Sequence, residues 1–227
     1  RVVGSRQASR GFLPAPAYVS GQTVQEIGGG VCQGSSTIYL AALRANLEIV
    51  ERYPHGYITR YVPDGMDATV YYGVKDFRFK NNQEVPVYIE SYITKDHKLV
   101  VNVYGKETRP SNRTVEYVSE TLEVINPGPD VIRTDGTLPV GEVQVSSAYT
   151  GYKAKLWKLV KVDGVEKSRE LVNTSNYRAV ARMATVGMYT TDPAVLEKMN
   201  AAVATGNIDH VQNVVAAILA PPTESYE

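Results

Sequence analysis

Two β-prone runs, Tyr152 to Val162 and Val165 to Val172, meet at Asp163-Gly164, and that dipeptide leaves the backbone little choice. Both of its positions tolerate the positive φ that a two-residue hairpin turn requires. The runs are therefore expected to pair as antiparallel strands. Val115 to Ile125, Val131 to Arg133, Glu142 to Tyr149 and Tyr177 to Val186 continue the pattern, each bounded by turn residues. Arg109-Pro110-Ser111-Asn112-Arg113 interrupts the apolar pattern just before them, which places a domain boundary there. Residues 110–189 thus read as an all-β module.

Residues 1–109 read differently. Gly11, Pro14, Pro16 and Gly21 punctuate the first stretch, where only weak strands are expected. From Ser35 onward, Ile38, Ala41, Ala42 and Ala45 recur at helical spacing as far as Leu47, with Asn46 as the stop. Tyr57 to Val62, Ala68 to Tyr72 and Asp76 to Phe79 are expected as short strands. Val85 to Ile93 and Leu99 to Tyr104 form a hairpin around the polar turn 94–98. The expected architecture is an α+β catalytic domain, its helix packed on antiparallel strands, followed by the all-β module. Two short helices close the chain over residues 190–227. The first follows Thr191-Asp192-Pro193 and carries Val195, Leu196, Met199 and Val203; the second carries Val211, Val214, Val215 and Ile218 and ends at Pro221-Pro222.

Composition removes several functions. Lysine and arginine total 24, as do aspartate and glutamate, so there is no basic excess for nucleic acid. A single cysteine excludes an internal disulfide, and no Cys/His cluster has metal-ligand spacing; neither a metal nor a cofactor is called for. No run reaches the roughly 18 apolar residues of a membrane span. Because the sequence opens on Arg1 rather than methionine, a signal or anchor upstream is expected. Nothing in the sequence sets an oligomeric state.

The chemistry converges on Gly28-Gly29-Gly30-Val31-Cys32. Three glycines admit positive φ and close backbone approach, and a helix start offers free N–H groups and a favourable dipole to a negative charge. A thiol placed there ionises more readily. Nucleophilic catalysis also needs a base and donors for the developing oxyanion. The backbone at Gly29, Gly30 and Val31 can supply the donors. Of the three histidines, His97 falls in a hairpin turn and His210 in the tail, leaving His55 as the base. Asp67 or Asp64 can orient it. Ser35 and Ser36 either cap the helix start or hydrogen-bond a substrate, while Arg60, like Lys75, is a candidate carboxylate holder. The competing reading for Cys32 is an inert buried thiol.

The motifs Gly28-Gly29-Gly30-Val31-Cys32-Gln33-x-Ser35-Ser36-Thr37, Leu47-Glu48-Ile49-Val50-Glu51-Arg52-x-Pro54-His55, Tyr61-Val62-Pro63, Asp67-Ala68-Thr69-Val70 and Asp76-x-Arg78-Phe79-x-Asn81 resemble the VanW domain of bacterial cell-envelope proteins. Gly34 and Gly56 depart from the usual valine and serine. Gly151 to Gly187 resembles the G-five domain, a β-module of cell-surface proteins. The resemblance implies an extracellular cell-envelope protein acting on peptidoglycan stem peptides as an L,D-transpeptidase. Cys32 would attack the diaminopimelate carbonyl of a donor stem, release D-alanine and hold a thioester that an amine or water resolves. The alternative is a non-catalytic peptidoglycan-binding or adhesion module with a structural cysteine.

Overall fold

A computed structural model describes residues 2–19 and 22–221. Arg1, Gly21 and Pro222, with the last part of the 190–227 segment, lie outside the described residues. The fold is mixed and strand-rich. In chain order it comprises β1 (Pro14–Val19), β2 (Gln22–Ile27), α1 (Val31–Arg44), β3 (Glu48–Glu51), β4 (Arg78–Lys80), β5 (Tyr88–Ile93), β6 (Leu99–Tyr104) and β7 (Arg113–Ile125). There follow β8 (Val131–Pro139), β9 (Val143–Ser146), β10 (Gly151–Val162), β11 (Val165–Tyr177), β12 (Met183–Tyr189), α2 (Pro193–Ala204) and α3 (Ile208–Leu219).

These elements form two compact units that are not contiguous in sequence: one runs to Ile125 and adds Gly151–Arg178, the other joins Asn126–Thr150 to the residues from Ala179 onward. The first unit contains the hairpins β1–β2 and β5–β6, the pair β3–β4 and the antiparallel sheet β11-β10-β7. Asp163 at φ 52° and Gly164 at φ 77° make the turn that joins β10 to β11. Tyr39 and Leu43 of α1 bury against Ala68 and Leu156, with Phe77, Tyr117 and Val172 around them. The Tyr117 hydroxyl donates to the Leu43 carbonyl near the end of α1, at 2.7 Å. The second unit contains the sheet β8-β12-β9, with β12 parallel to β8 and antiparallel to β9. Its core joins Ala184 and Val186 to Met199, Ala202, Ile208, Val211 and Val215. Asp192 caps α2 by accepting from the N–H groups of Ala194 and Val195, with Pro193 in the first turn.

Four elements differ from the sequence expectation. The first helix begins at Val31, not Ser35, because Gly30 takes a left-handed cap conformation, φ 87°, ahead of the apolar stripe. Tyr57 to Val62 and Ala68 to Tyr72 are not strands; in the second, the Ala68 carbonyl and N–H are taken by Ser35 and Ser36 instead of a neighbouring strand. By contrast, the strand at Pro14 to Val19 falls where weak strands are expected, and its prolines are tolerated because β1 pairs only with β2 among the described residues. Finally, Tyr177 to Val186 is not one strand: Tyr177 ends β11, and β12 begins only at Met183 in the other sheet.

Leu156 is completely buried in the cluster beneath α1. Leu156→Ala is expected to destabilise the protein by about 2–5 kcal/mol, as large-to-small core changes do. Urea unfolding followed by the fluorescence of Trp157, the only tryptophan, measures it.

Candidate active site

Each glycine ahead of Cys32 has a separate structural role. Gly28 and Gly30 have φ values of 74° and 87°, which L side chains rarely adopt. A Cβ on Gly29 would lie 2.2 Å from the Ala15 carbonyl oxygen, so only glycine lets β1 approach this closely. Above Gly30 the space is open. The chain then enters α1 with Cys32 as its second residue and no side chain capping the start. In the first turn the Val31 N–H donates to the Gly28 carbonyl at 3.4 Å and the Gln33 N–H to the Gly30 carbonyl at 2.9 Å, which leaves the Cys32 N–H, among the described residues, as the donor open to another acceptor.

The hydroxyls of this turn serve to fasten the helix. Ser35 donates to the Cys32 carbonyl at 3.0 Å and the Ala68 carbonyl at 2.5 Å. Ser36 donates to the Cys32 carbonyl at 2.8 Å and accepts from the Ala68 N–H at 2.9 Å. Both serines are buried. They bind the segment 67–70 to the helix start and bring Thr69 and Val70 to the sulfur: Cys32 Sγ lies 3.4 Å from Thr69 Oγ1 and 3.5 Å from the Val70 carbonyl oxygen.

Asp67 is fully buried and surrounded by donors. Its Oδ2 accepts from the His55 backbone N–H at 2.7 Å and from His55 Nδ1 at 2.6 Å. Its Oδ1 accepts from Arg52 Nη2 at 2.8 Å and from the Tyr177 hydroxyl at 2.6 Å. Arg52 also donates Nε to the Asp67 carbonyl and Nη1 to Ser175 Oγ, at 2.7 and 2.8 Å. Despite burial, which works against the charged form, these bonds and the Arg52 charge hold the carboxyl below its usual pKa. An ionised carboxylate is acceptor-only, so His55 Nδ1 carries the proton there and Nε2 is the atom that can exchange one. Tyr61 stands across the ring, its hydroxyl 3.5 Å from both His55 Nε2 and Ser36 Oγ.

The thiol and imidazole are coupled. Burial opposes ionisation of Cys32, yet hydrogen bonds from His55 and Thr69, together with the His55 charge, lower its pKa to about 7. Burial likewise opposes the imidazolium, but the hydrogen bond to Asp67, helped by those of Cys32 and the two negative charges, raises His55 to about 9. Both shifts favour the thiolate–imidazolium form of the pair. Tyr61, pushed up to about 12 by burial and the Cys32 and Asp67 charges, remains a neutral donor. The arrangement joins a charged nucleophile, a proton donor and an oriented carboxylate beside an uncapped helix start, which is the equipment of acyl transfer.

Cys32, His55 and Asp67 thus converge, but of the backbone donors expected beside them the Gly29 N–H is taken by the Glu26 carbonyl at 3.0 Å and the Val31 N–H by the Gly28 carbonyl at 3.4 Å, leaving Gly30. Asp67, rather than Asp64, meets the ring; Asp64 has its own pKa raised by burial and the Asp67 charge. Arg60 is exposed on the same loop, Lys75 lies over the Tyr53 ring at 5.8 Å, and His97 and His210 are exposed. Arg52, Tyr61 and Thr69 had only their place in the motifs to mark them. Ser175 and Tyr177 had no local signal.

Residues 1–104 match the family model described as VanW like protein, and residues 115–188 match the G5 domain. The chain is 46% identical over 91 residues to the uncharacterized protein YoaR of Bacillus subtilis (strain 168), an overlap of 40% of this chain and 30% of that relative's length. Among solved structures, the IgA1 protease G5 domain is 26% identical, with 34% of this chain and 94% of that one covered at a TM-score of 0.24. HP0197-G5 is 24% identical, with 34% and 100% covered at a TM-score of 0.19.

Two outcomes follow from this geometry. Iodoacetamide alkylation of Cys32, the only cysteine, should rise with pH through a midpoint near 7, below the roughly 8.5 of an unperturbed thiol; a midpoint above 8 contradicts the ion pair. Tyr177→Phe leaves the Gly65 N–H, which donates to the Tyr177 hydroxyl at 2.7 Å, without a partner and removes a donor to Asp67. A loss of about 1–3 kcal/mol is expected in chemical denaturation, together with slower alkylation at neutral pH.

Proposed function

For a chain that joins a VanW-like region to a G5 domain, we propose a cell-wall acyltransferase that cross-links peptidoglycan as a cysteine L,D-transpeptidase. The observation that carries this reading is the Cys32–His55–Asp67 relay at the uncapped start of α1. In the proposed reaction the Cys32 thiolate attacks the carbonyl carbon of the donor residue in a stem peptide. The oxyanion develops toward the N–H groups of Gly30 and Cys32, which no backbone carbonyl of the described residues engages. His55 Nε2 gives its proton to the departing nitrogen, the C–N bond to terminal D-alanine breaks, and a thioester remains. An amine of a second stem then attacks the thioester carbonyl and passes a proton to His55. The C–S bond breaks, restoring the thiolate. Water in place of the amine gives carboxypeptidase activity.

Asp67 does not take the proton in this scheme. It fixes the ring and stabilises the imidazolium, while Arg52 and Tyr177 keep the carboxylate ionised and in place. The protein would work at the cell envelope, outside the cytoplasmic membrane. Among the described residues no helix is long and apolar enough to cross a membrane.

Disaccharide tetrapeptides incubated with the protein should yield cross-linked dimers or lose D-alanine, as read by liquid chromatography and mass spectrometry. Intact-protein mass should reveal an acyl adduct that is absent from Cys32→Ala. His55→Ala should lower the rate by about 10²-fold or more. Unchanged muropeptides and no adduct would refute the transferase reading.

A further inference from the structure

A polar trench of ≈ 530 Å³ is lined by Arg6, Gln25, Glu26, Ile27, Tyr71 and Tyr72. Two of its walls lead directly to the nucleophile. Tyr71 follows Val70, whose carbonyl oxygen lies 3.5 Å from Cys32 Sγ, and Ile27 precedes the Gly28–Gly30 turn into α1. Arg6 rests on that turn. Its aliphatic stem fills the space above Gly28, where a Cβ would lie 2.9 Å from Arg6 Cβ and Cδ, and its guanidinium stands over the Tyr71 ring at 5.9 Å.

The trench contains a cation and an anion that do not neutralise each other. Arg6 and Glu26 face the same space, yet they form no ion pair within 4.0 Å, and among the described residues neither has another charged partner. Opposite charges separated across one cavity complement a ligand that carries both signs itself, with its carboxylate toward the guanidinium and its ammonium toward the carboxylate. Tyr71 and Tyr72, 57% and 62% exposed, are large rings turned to water beside these charges. They provide apolar faces for a short methylene chain.

We propose that this trench is the donor-side specificity subsite. It receives the side chain of the residue whose carbonyl Cys32 attacks, and it selects a side chain ending in a carboxylate and an ammonium on one carbon. This assignment rests on the transpeptidase reading for the position of the scissile carbonyl. The charge complementarity of the trench is independent of turnover. No bond is made or broken in the trench; the attacking amine comes from the second stem.

Three stem tetrapeptides separate the possibilities: one with diaminopimelate as donor residue, one with its side-chain carboxyl amidated, and one with lysine, which lacks that carboxyl. The wild type should prefer the first. Arg6→Gln should raise KM for it by about 10-fold or more, the scale of one lost charge-assisted contact, and change KM little for the other two. Arg6→Lys should restore part of the preference. Glu26→Gln should weaken all three peptides alike, since all three keep the ammonium. Turnover with equal KM for all three peptides, or an Arg6→Gln variant that shifts all three equally, overturns the subsite and leaves the transferase reading intact.

Binding of the same peptides to Cys32→Ala, measured by titration calorimetry, supplies the other arm. Charge-dependent binding in that variant, with no turnover by the wild type, supports the trench and refutes the transferase. Binding of none of the three peptides overturns the subsite. An unchanged neutral-pH alkylation rate of Cys32 in Arg6→Gln verifies that the packing on Gly28 survives the substitution.

Discussion

The first unit is built around a carboxylate that has no access to water. Burying an ionised Asp67 costs several kcal/mol unless its lone pairs are taken up by donors and its charge is matched. Here both conditions hold. Each oxygen accepts two hydrogen bonds, and Arg52 provides the countercharge. The segment that contains these residues has almost no regular secondary structure between β3 and β4. Its shape is set by side chains reaching backbone atoms: Arg52 to the Asp67 carbonyl, Ser35 and Ser36 to Ala68, and Tyr177 from the Gly65 N–H. Loops of this kind satisfy their polar groups through side chains or remain at the surface. This one is held against α1 because those groups are satisfied.

The same carboxylate explains why the order of the two pKa values is inverted. An isolated thiol ionises above an isolated imidazolium, so a bare cysteine–histidine pair is largely neutral. Burial alone would reinforce the neutral state of both. Asp67 tips the balance by hydrogen-bonding Nδ1 and stabilising the imidazolium, which in turn stabilises the thiolate. Arg52 sits on the far side of Asp67 from the ring's point of view and restrains the carboxylate from taking the proton itself. The nucleophile's charge is thus determined by residues that do not touch sulfur.

Much of this was legible in the sequence where the signal was local. The glycines before Cys32, the Asp163-Gly164 turn, the Asp192 cap and the apolar stripes of α2 and α3 each act within a few residues, and each forms as the pattern dictates. Economy also singled out His55, because only three histidines compete for the role, while its orienting carboxylate stayed open between Asp67 and Asp64. The failures arise where distant groups decide. Ala68 to Tyr72 has β-prone side chains, but the Ala68 carbonyl and N–H go to Ser35 and Ser36 of α1 rather than to a neighbouring strand. Ser35 and Ser36 suit a cap by type, yet a buried hydroxyl takes the nearest unsatisfied carbonyl, and here those belong to Cys32 and Ala68. Tyr177 and Ser175 lie more than a hundred residues from their partners in the chain, beyond any periodicity or spacing rule.

The hairpin turn that constrains the fold most strongly also constrains the site. Asn173, Ser175 and Tyr177 occupy alternate positions of β11, so they share one face of the strand. Asn173 donates to the Tyr39 hydroxyl and the Gly65 carbonyl, Ser175 accepts from Arg52, and Tyr177 reaches Asp67. A register slip of one residue would turn all three away together. Pairing begins at Val162 and Val165 on either side of the two-residue turn, and continues through two irregularities to Tyr152 opposite Tyr177. The turn at Asp163-Gly164 and those irregularities therefore determine which side chains face the loop. A strand matched by the G5 model is, in this chain, part of what holds the histidine's carboxylate, and the first 104 residues alone would lack it.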